Sequence, residues 1–351
     1  LHIGAKLGLF FLSAVLNGCY MKSPTYQLTE KINGVSLEAG REVTPAKDLK
    51  ILDTLGARWV AIIPYAFAPG RVPELHFNHG RQWRGETLTG VAEQISIAHE
   101  AGFKVMVKPH VWVRGDGWPG EFKLDTEEDW TAWEDNYTRY ILAYLQVADS
   151  LNVELFCIGT EFNQAIIQRP DFWKKLSSMC REKFKGKLTY AANWDNYQHV
   201  NCWESLDYIG IDAYFPISDA KTPTLNQLRK GWLEPFEGLK ELSERSDRPV
   251  LFTEYGYRSA DFAAAGHWQL DEKEQPVNLK AQENAYEALF TAFWNQPWFA
   301  GGFLWKWYPS HREAGGATDH DYTPQNKPAE GIILKWYSSS SEVVPTHTDS
   351  K

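Results

Sequence analysis

The stretch "VELFCIGTEF" (residues 153–162) begins as a short buried strand, mostly apolar from Val153 to Ile158, and ends on Gly159, Thr160 and the carboxylate of Glu161. The stretch "PVLFTEYGY" (residues 249–257) also runs apolar and then stops on Glu254. Two interior strands that each deliver a glutamate at the C-terminal end call for one explanation.

Outward from these stretches, strand-like and helix-like patterns alternate with little interruption. Apolar runs at 32–38, 58–65, 103–110, 153–160, 187–193, 206–214, 249–254 and 300–306 predict eight strands. Helical periodicity over 44–55, 87–101, 127–151, 170–184, 224–246, 279–295 and 327–337 separates them, while 194–205 is too short for a full helix. Thr126 ahead of Glu127, Glu128 and Asp129 supplies an N-cap with an acidic first turn. Gly56, Gly102 and Gly186 stand where helices should end. This alternation predicts an α/β fold, a single (β/α)8 TIM barrel over residues 31–338. An open doubly wound sheet would carry a Gly-rich phosphate turn after its first strand, and "SLEAGRE" (36–42) has none.

In a barrel, the C-terminal strand ends form the active-site face. Glu161 on the fourth strand and Glu254 on the seventh then point into one cleft. A lone glutamate at a strand end often does no more than pair with a Lys or Arg across the barrel top. Two of them, with aromatics at neighbouring strand ends, point to chemistry.

Composition sets the bounds. Apolar content of 43% and charged content of 23% are ordinary for a globular protein, and a net charge of −9 argues against nucleic acid or anionic membrane as a partner. The 16 Trp are the outstanding figure; most suit a core, and the surplus suits stacking platforms for flat apolar ligand faces. Cys157, Cys180 and Cys202 form no CxxC and no zinc-ligand spacing, so neither a metal nor a cofactor is expected. Spacing leaves a Cys180–Cys202 disulfide open.

Five motifs carry a resemblance: "FCIGTEF" (156–162), "IGIDAYFP" (209–216), "LFTEYGY" (251–257), "GGFLWKWYP" (301–309) and "YTPQNKPAEGIILKWY" (322–337). In this order, over roughly residues 30 to 338, the chain resembles glycoside hydrolase family 113, the β-mannanase family, within a clan of retaining barrel glycosidases. The resemblance implies Glu161 as acid/base and Glu254 as nucleophile. Many members of that clan carry Asn just before the acid/base, where it binds the sugar 2-hydroxyl; this chain has Thr160, so that contact must be made differently. The chemistry agrees, since glycoside hydrolysis needs one protonated and one ionised carboxyl. Two acids in one cleft push one pKa upward.

Around the pair, Tyr214 is placed to bond Glu254, and Trp305 to form the floor beneath the cleaved sugar, with Trp307 of the same parity as its rival. His110 and Trp112 end the third strand, where His110 can bond a sugar hydroxyl or Glu161. Asn193 and Trp194 end the fifth and suit sugar contacts, and Trp118 on the turn "RGDGWPGEF" (114–122) suits a cleft wall. Lys108 and Lys306 are candidates to neutralise acids at the barrel top.

The first residues read as a leader: Lys6, the apolar "LGLFFLSAVL" (7–16), then "NGC". "LNGC" (16–19) resembles the lipobox of bacterial lipoproteins, with Asn17 departing from the usual small residue. That implies a signal peptide over 1–18, a lipid on Cys19, a tether over 19–30 and a bacterial cell-envelope location, anchored or secreted. Residues 339–351 read as a polar disordered tail. The expected function is a retaining endo-β-1,4-mannanase acting on mannan or glucomannan. The alternatives are a β-glucanase or exo-acting β-mannosidase, or a non-catalytic glycan-binding lipoprotein.

Overall fold

The apolar runs form strands because each is short, rich in β-branched or aromatic residues, and bounded by turn or capping residues. The computed structural model describes residues 25–115, 117–266 and 275–339. Its strands are β1 (Ile32–Leu37), β2 (Trp59–Ile62), β3 (Tyr65–Ala68), β4 (Lys104–Val107), β5 (His110–Val113), β6 (Leu155–Thr160), β7 (Lys187–Asn193), β8 (Ile209–Asp212), β9 (Val250–Tyr255) and β10 (Phe299–Trp307). The helices are α1 (Ala46–Leu49), α2 (Ile51–Leu55), α3 (Leu88–Glu100), α4 (Glu127–Ser150), α5 (Asn163–Gln168), α6 (Pro170–Lys183), α7 (Leu225–Gly231), α8 (Leu233–Ser246), α9 (Leu279–Phe293) and α10 (Pro328–Ser339). Eight parallel strands close in the order β1-β10-β9-β8-β7-β6-β4-β2, the barrel that the alternation predicts. Between β7 and β8 the chain makes only single 3-10 turns, Tyr197–His199 and Trp203–Ser205.

Two details differ from expectation. The second and third strands do not stop at 65 and 110; past each, the chain enters a separate two-stranded parallel sheet of β3 and β5, pairing Tyr65 with His110 and Phe67 with Trp112. This small sheet continues from the C-terminal ends of β2 and β4, so it extends one side of the barrel mouth. Gly56 and Gly102 take left-handed φ of 81° and 88° where their helices end. Gly186 is not among the left-handed residues. A Cβ on it would lie 2.6 Å from the Val153 carbonyl oxygen, so glycine is needed there for close passage and not for a cap.

The long α4 shows how the aromatic surplus is spent. The Thr126 hydroxyl accepts the Asp129 N–H at 3.1 Å and fixes its start. Trp130, Trp133, Tyr137, Tyr140, Ile141 and Tyr144 fall at helical spacing on its buried face. Trp133 stacks on Tyr137 at 4.9 Å between ring centres, and Phe162 meets both rings edge-on at 5.4 and 5.2 Å. Burial of one such ring is worth on the order of 3–5 kcal/mol. Phe162 directly follows Glu161, so the core cluster anchors the chain at the end of β6.

Cys157, Cys180 and Cys202 are buried free thiols, so the Cys180–Cys202 bridge left open by spacing is not made. The leader, Cys19 and the tail from 340 lie outside the described residues. The last part of the expected tether is packed against the barrel. The Thr25 N–H donates to Asp247 at 2.8 Å, Tyr26 shares a hydrogen bond with Ser243 at 2.9 Å, and Lys31 donates to the Gln296 carbonyl at 2.7 Å. These partners precede β9 and β10, so the segment crosses the face opposite the glutamates. Among the described residues, no helix is long and apolar enough to cross a membrane.

Candidate active site

Both glutamate-bearing strands break register just before the glutamate. On β6, Cys157 opposes Thr189 while Thr160 opposes Ala191, so three steps of β6 match two of β7. On β9, Phe252 opposes Ile211 while Glu254 opposes Asp212, again one residue too many on the glutamate's strand. A bulge of this kind re-aims the side chains beyond it. Glu161 itself has φ 55°, in the left-handed region that costs a β-carbon-bearing residue about 1–2 kcal/mol. It is held there from both sides. Its N–H donates to the Ala191 carbonyl at 2.8 Å, and the next N–H, of Phe162, donates to the Tyr190 hydroxyl at 3.0 Å.

The two carboxyls meet opposite surroundings. Glu161 is partly buried and accepts one hydrogen bond, from the Trp118 indole N–H at 2.6 Å. Trp118 was expected as a cleft wall, and the structure gives it this contact with the acid. Gly120 makes room for it, since a Cβ there would lie 2.1 Å from the Trp118 ring. Burial, then the charges of Asp212 and Glu254, hold Glu161 well above the usual carboxylate range, against the pull of Lys108 and Trp118.

Glu254 is bonded from two sides. Lys108 Nζ contacts Oε1, and the Tyr214 hydroxyl donates to Oε2 at 2.7 Å, as expected for Tyr214. Burial alone would raise this carboxyl; the Lys108 charge outweighs it and brings it down to about 2. His110 Nε2 lies 3.4 Å from Oε1 without the alignment of a hydrogen bond. His110 therefore sits beside Glu254, not Glu161 as one expectation had it. Burial and the Lys108 charge depress its pKa, which keeps the ring neutral.

Asp212 is the residue that sequence reading missed. It is fully buried, accepts from Lys108 Nζ with both oxygens at 2.9 and 3.0 Å, and accepts the Thr253 hydroxyl at 2.7 Å. Burial and the Glu254 charge push it up to about 7, with Lys108 and Thr253 opposing. The signal was present in "IGIDAY": a lone acid inside an apolar strand must be paired or functional. Lys108 is also fully buried, and these two carboxylates raise its pKa despite burial. Lys306 instead pairs with Glu38 at 3.0 Å.

The remaining expected contacts spread around the mouth. Trp305 lies parallel to the His110 ring at 6.1 Å and lines a cavity of about 510 Å³, whereas Trp307 is 1% exposed and belongs to the core. Trp112 lines the same cavity and is half exposed. Trp194 packs edge-on against Phe215 at 5.8 Å. Asn193 shapes its own turn: its Oδ1 accepts the Trp194 N–H and its Nδ2 donates to Asp195, each at 3.0 Å. Thr160 donates to the Pro109 carbonyl at 3.3 Å, so its hydroxyl is turned to the backbone. No cluster of metal-ligating side chains occurs among the described residues.

Residues 39–327 match the model of Glycoside Hydrolase Family 113. The GH113 β-mannanase AaManA from Alicyclobacillus acidocaldarius, solved in complex with ManMIm, is 27% identical with a TM-score of 0.77, over 88% of this chain and 98% of that one. Another GH113 β-1,4-mannanase complex shares the fold at 24% identity and TM-score 0.75, over 88% and 99% of the two chains. A Faecalibacterium prausnitzii β-glucuronidase shares it more distantly, at 14% identity and TM-score 0.59, over 88% of this chain and 49% of that one. No curated protein matches the chain. With a family match over residues 39–327, most of its length, the chain belongs to glycoside hydrolase family 113.

Proposed function

We propose that this glycoside hydrolase is a retaining endo-β-1,4-mannanase in which Glu254 is the nucleophile and Glu161 the acid/base. The observation that carries the reading is the contrast in bonding of the two carboxyls: Glu161 accepts the Trp118 indole N–H, with burial and the neighbouring acids raising its pKa, whereas Glu254 is paired with Lys108 and accepts the Tyr214 hydroxyl; retention follows the clan that the motifs resemble. Glu254 attacks the anomeric carbon while Glu161 protonates the departing glycosidic oxygen. Esterification removes one of the charges that raise the Glu161 pKa, so Glu161 can then serve as base towards water. Lys108 does not become a buried unpaired cation in that intermediate, because Asp212 still holds it. The mannan preference is supported by the β-mannanase AaManA, the more similar of the two mannanases compared. Endo action is supported by the cavity that continues past Trp305, which offers room beyond the sugar being cleaved.

A panel of mannan, glucomannan, cellulose and xylan with product sizing tests the substrate. Mannan and glucomannan should yield a spread of oligosaccharides; cleavage of cellulose or xylan alone would overturn the assignment. Glu254→Ala should abolish turnover on every substrate. Glu161→Ala should keep some activity on aryl glycosides with good leaving groups, and azide should rescue it with a glycosyl azide product.

Lys108 sets the acid limb of the pH profile. Lys108→Met removes the charge that lowers Glu254, so the acid limb of kcat/KM should move to higher pH and kcat should fall by about tenfold or more. An unmoved acid limb in a folded variant would show that Lys108 does not tune the nucleophile.

We further propose that Cys19 carries a lipid that holds the enzyme at the cell envelope, on the strength of the leader pattern and "LNGC". Cys19→Ala should shift the protein from the membrane fraction to the soluble fraction. A wild-type chain already soluble in its native cell contradicts the anchor.

A further inference from the structure

On the β3 side of the barrel mouth, charge is distributed against the trend of the whole chain. The net charge is −9, yet a groove of about 870 Å³ there is lined by Arg81, Arg139, His76 and His79, with no acidic residue in its walls. Phe67 and Phe77 supply aromatic surface in the same groove. The loop that shapes it is held in place. Phe67 and His76 exchange backbone hydrogen bonds of 2.9 Å, so the chain from 69 to 75 returns alongside β3. Phe77 packs on Tyr140 and Tyr144 of α4, at 5.1 and 6.2 Å between ring centres.

The two arginines are not engaged with acids. Among the described residues, Arg81 bonds only through its backbone N–H, to His79 Nδ1 at 3.3 Å, and the Arg139 guanidinium bonds only the neutral Asn136 side chain. Other arginines close by in sequence are paired, Arg84 with Glu93 and Arg169 with Glu134 at 2.6 Å. Glu74 and Asp135, on the same loop and helix as the groove cations, stand outside its lining. One exposed arginine needs no partner. Two arginines and two histidines around one concavity, with no acid among them, make a local positive field.

The chemistry of the walls says what fits. A guanidinium takes a carboxylate through two parallel N–H bonds, and an aromatic ring takes the apolar face of a sugar. A sugar acid uses both, whereas a free inorganic anion would leave the aromatic walls idle. Phe67, His79 and Arg81 also line the cavity past Trp305, so the two spaces share a wall. A polysaccharide chain lying in that cavity can therefore place a side group in the groove. We propose that the groove binds a uronic-acid side group carried by the polysaccharide, which makes an acidic, substituted mannan the preferred substrate. The proposal rests on the reading above that the cavity past Trp305 holds the substrate chain.

The test compares kcat/KM of the full chain on two polymers: a β-1,4-mannan carrying glucuronic acid side groups, and the same polymer with its carboxyls reduced to alcohols. The acidic polymer should be cleaved about three- to tenfold more efficiently at low ionic strength, and added salt should shrink that ratio. Arg81→Gln combined with Arg139→Gln should bring the ratio close to unity; both side chains are exposed, so the fold does not depend on them. Equal kcat/KM on the two polymers in the wild type, or a ratio that the double variant leaves in place, overturns the proposal. Free glucuronate should inhibit cleavage of the acidic polymer more strongly than sulfate at matched ionic strength. Equal inhibition would mean a patch for any anion and would overturn the sugar-acid assignment. If neither polymer is cleaved but a β-1,4-glucan is, the mannan reading fails, and the same pair built on the glucan backbone decides the role of the groove. Cleavage of neither backbone overturns both.

Discussion

Lys108 is the constraint around which the site is arranged. A lysine with no solvent exposure must be paired, and it is paired twice, with Asp212 through both oxygens and with Glu254. One cation between two carboxylates leaves excess negative charge in a low-dielectric space. For Glu161, its own burial, then the charges of Asp212 and Glu254, raise the pKa against the pull of Lys108. The asymmetry between the glutamates therefore rests on burial for Glu161 and on direct pairing with Lys108 for Glu254.

The fold supplies this arrangement at some cost. The bulges on β6 and β9 give up regular pairing, and Glu161 occupies a left-handed backbone that its residue type disfavours. The aromatic layer against α4 holds that geometry: Phe162 is locked among Trp133, Tyr137 and Trp173, and Tyr190 bonds the Phe162 N–H. The tryptophan surplus thus does two jobs. Trp133 and Trp173 are fully buried and rigidify the acid's strand, while Trp305, Trp112 and Trp83 line the open cavity.

The barrel was legible because its signal is repeated: eight apolar runs in alternation with helical periodicity leave few alternatives. Glu161 and Glu254 were legible for the same reason, as acids at strand ends. Asp212 was overlooked because it falls within its strand, in a motif read for Tyr214, and its partner Lys108 lies 104 positions away. The sheet of β3 and β5 was hidden because "YAFA" and "HVWV" follow their barrel strands after very short breaks, so each reads as the end of one longer strand. Which ring of Trp305 and Trp307 meets the cavity also needed coordinates, since strand parity is the same for both.

The central claim, that Glu254 attacks the anomeric carbon, is tested most directly by trapping the intermediate. A 2-fluoro-mannosyl fluoride slows both steps of double displacement while keeping a good leaving group, so the glycosyl-enzyme ester accumulates. Peptide mass spectrometry of the inactivated enzyme should place one fluorosugar on Glu254, within "PVLFTEYGY". An ester on Glu161, or no adduct together with a first product of inverted anomeric configuration, would contradict the account.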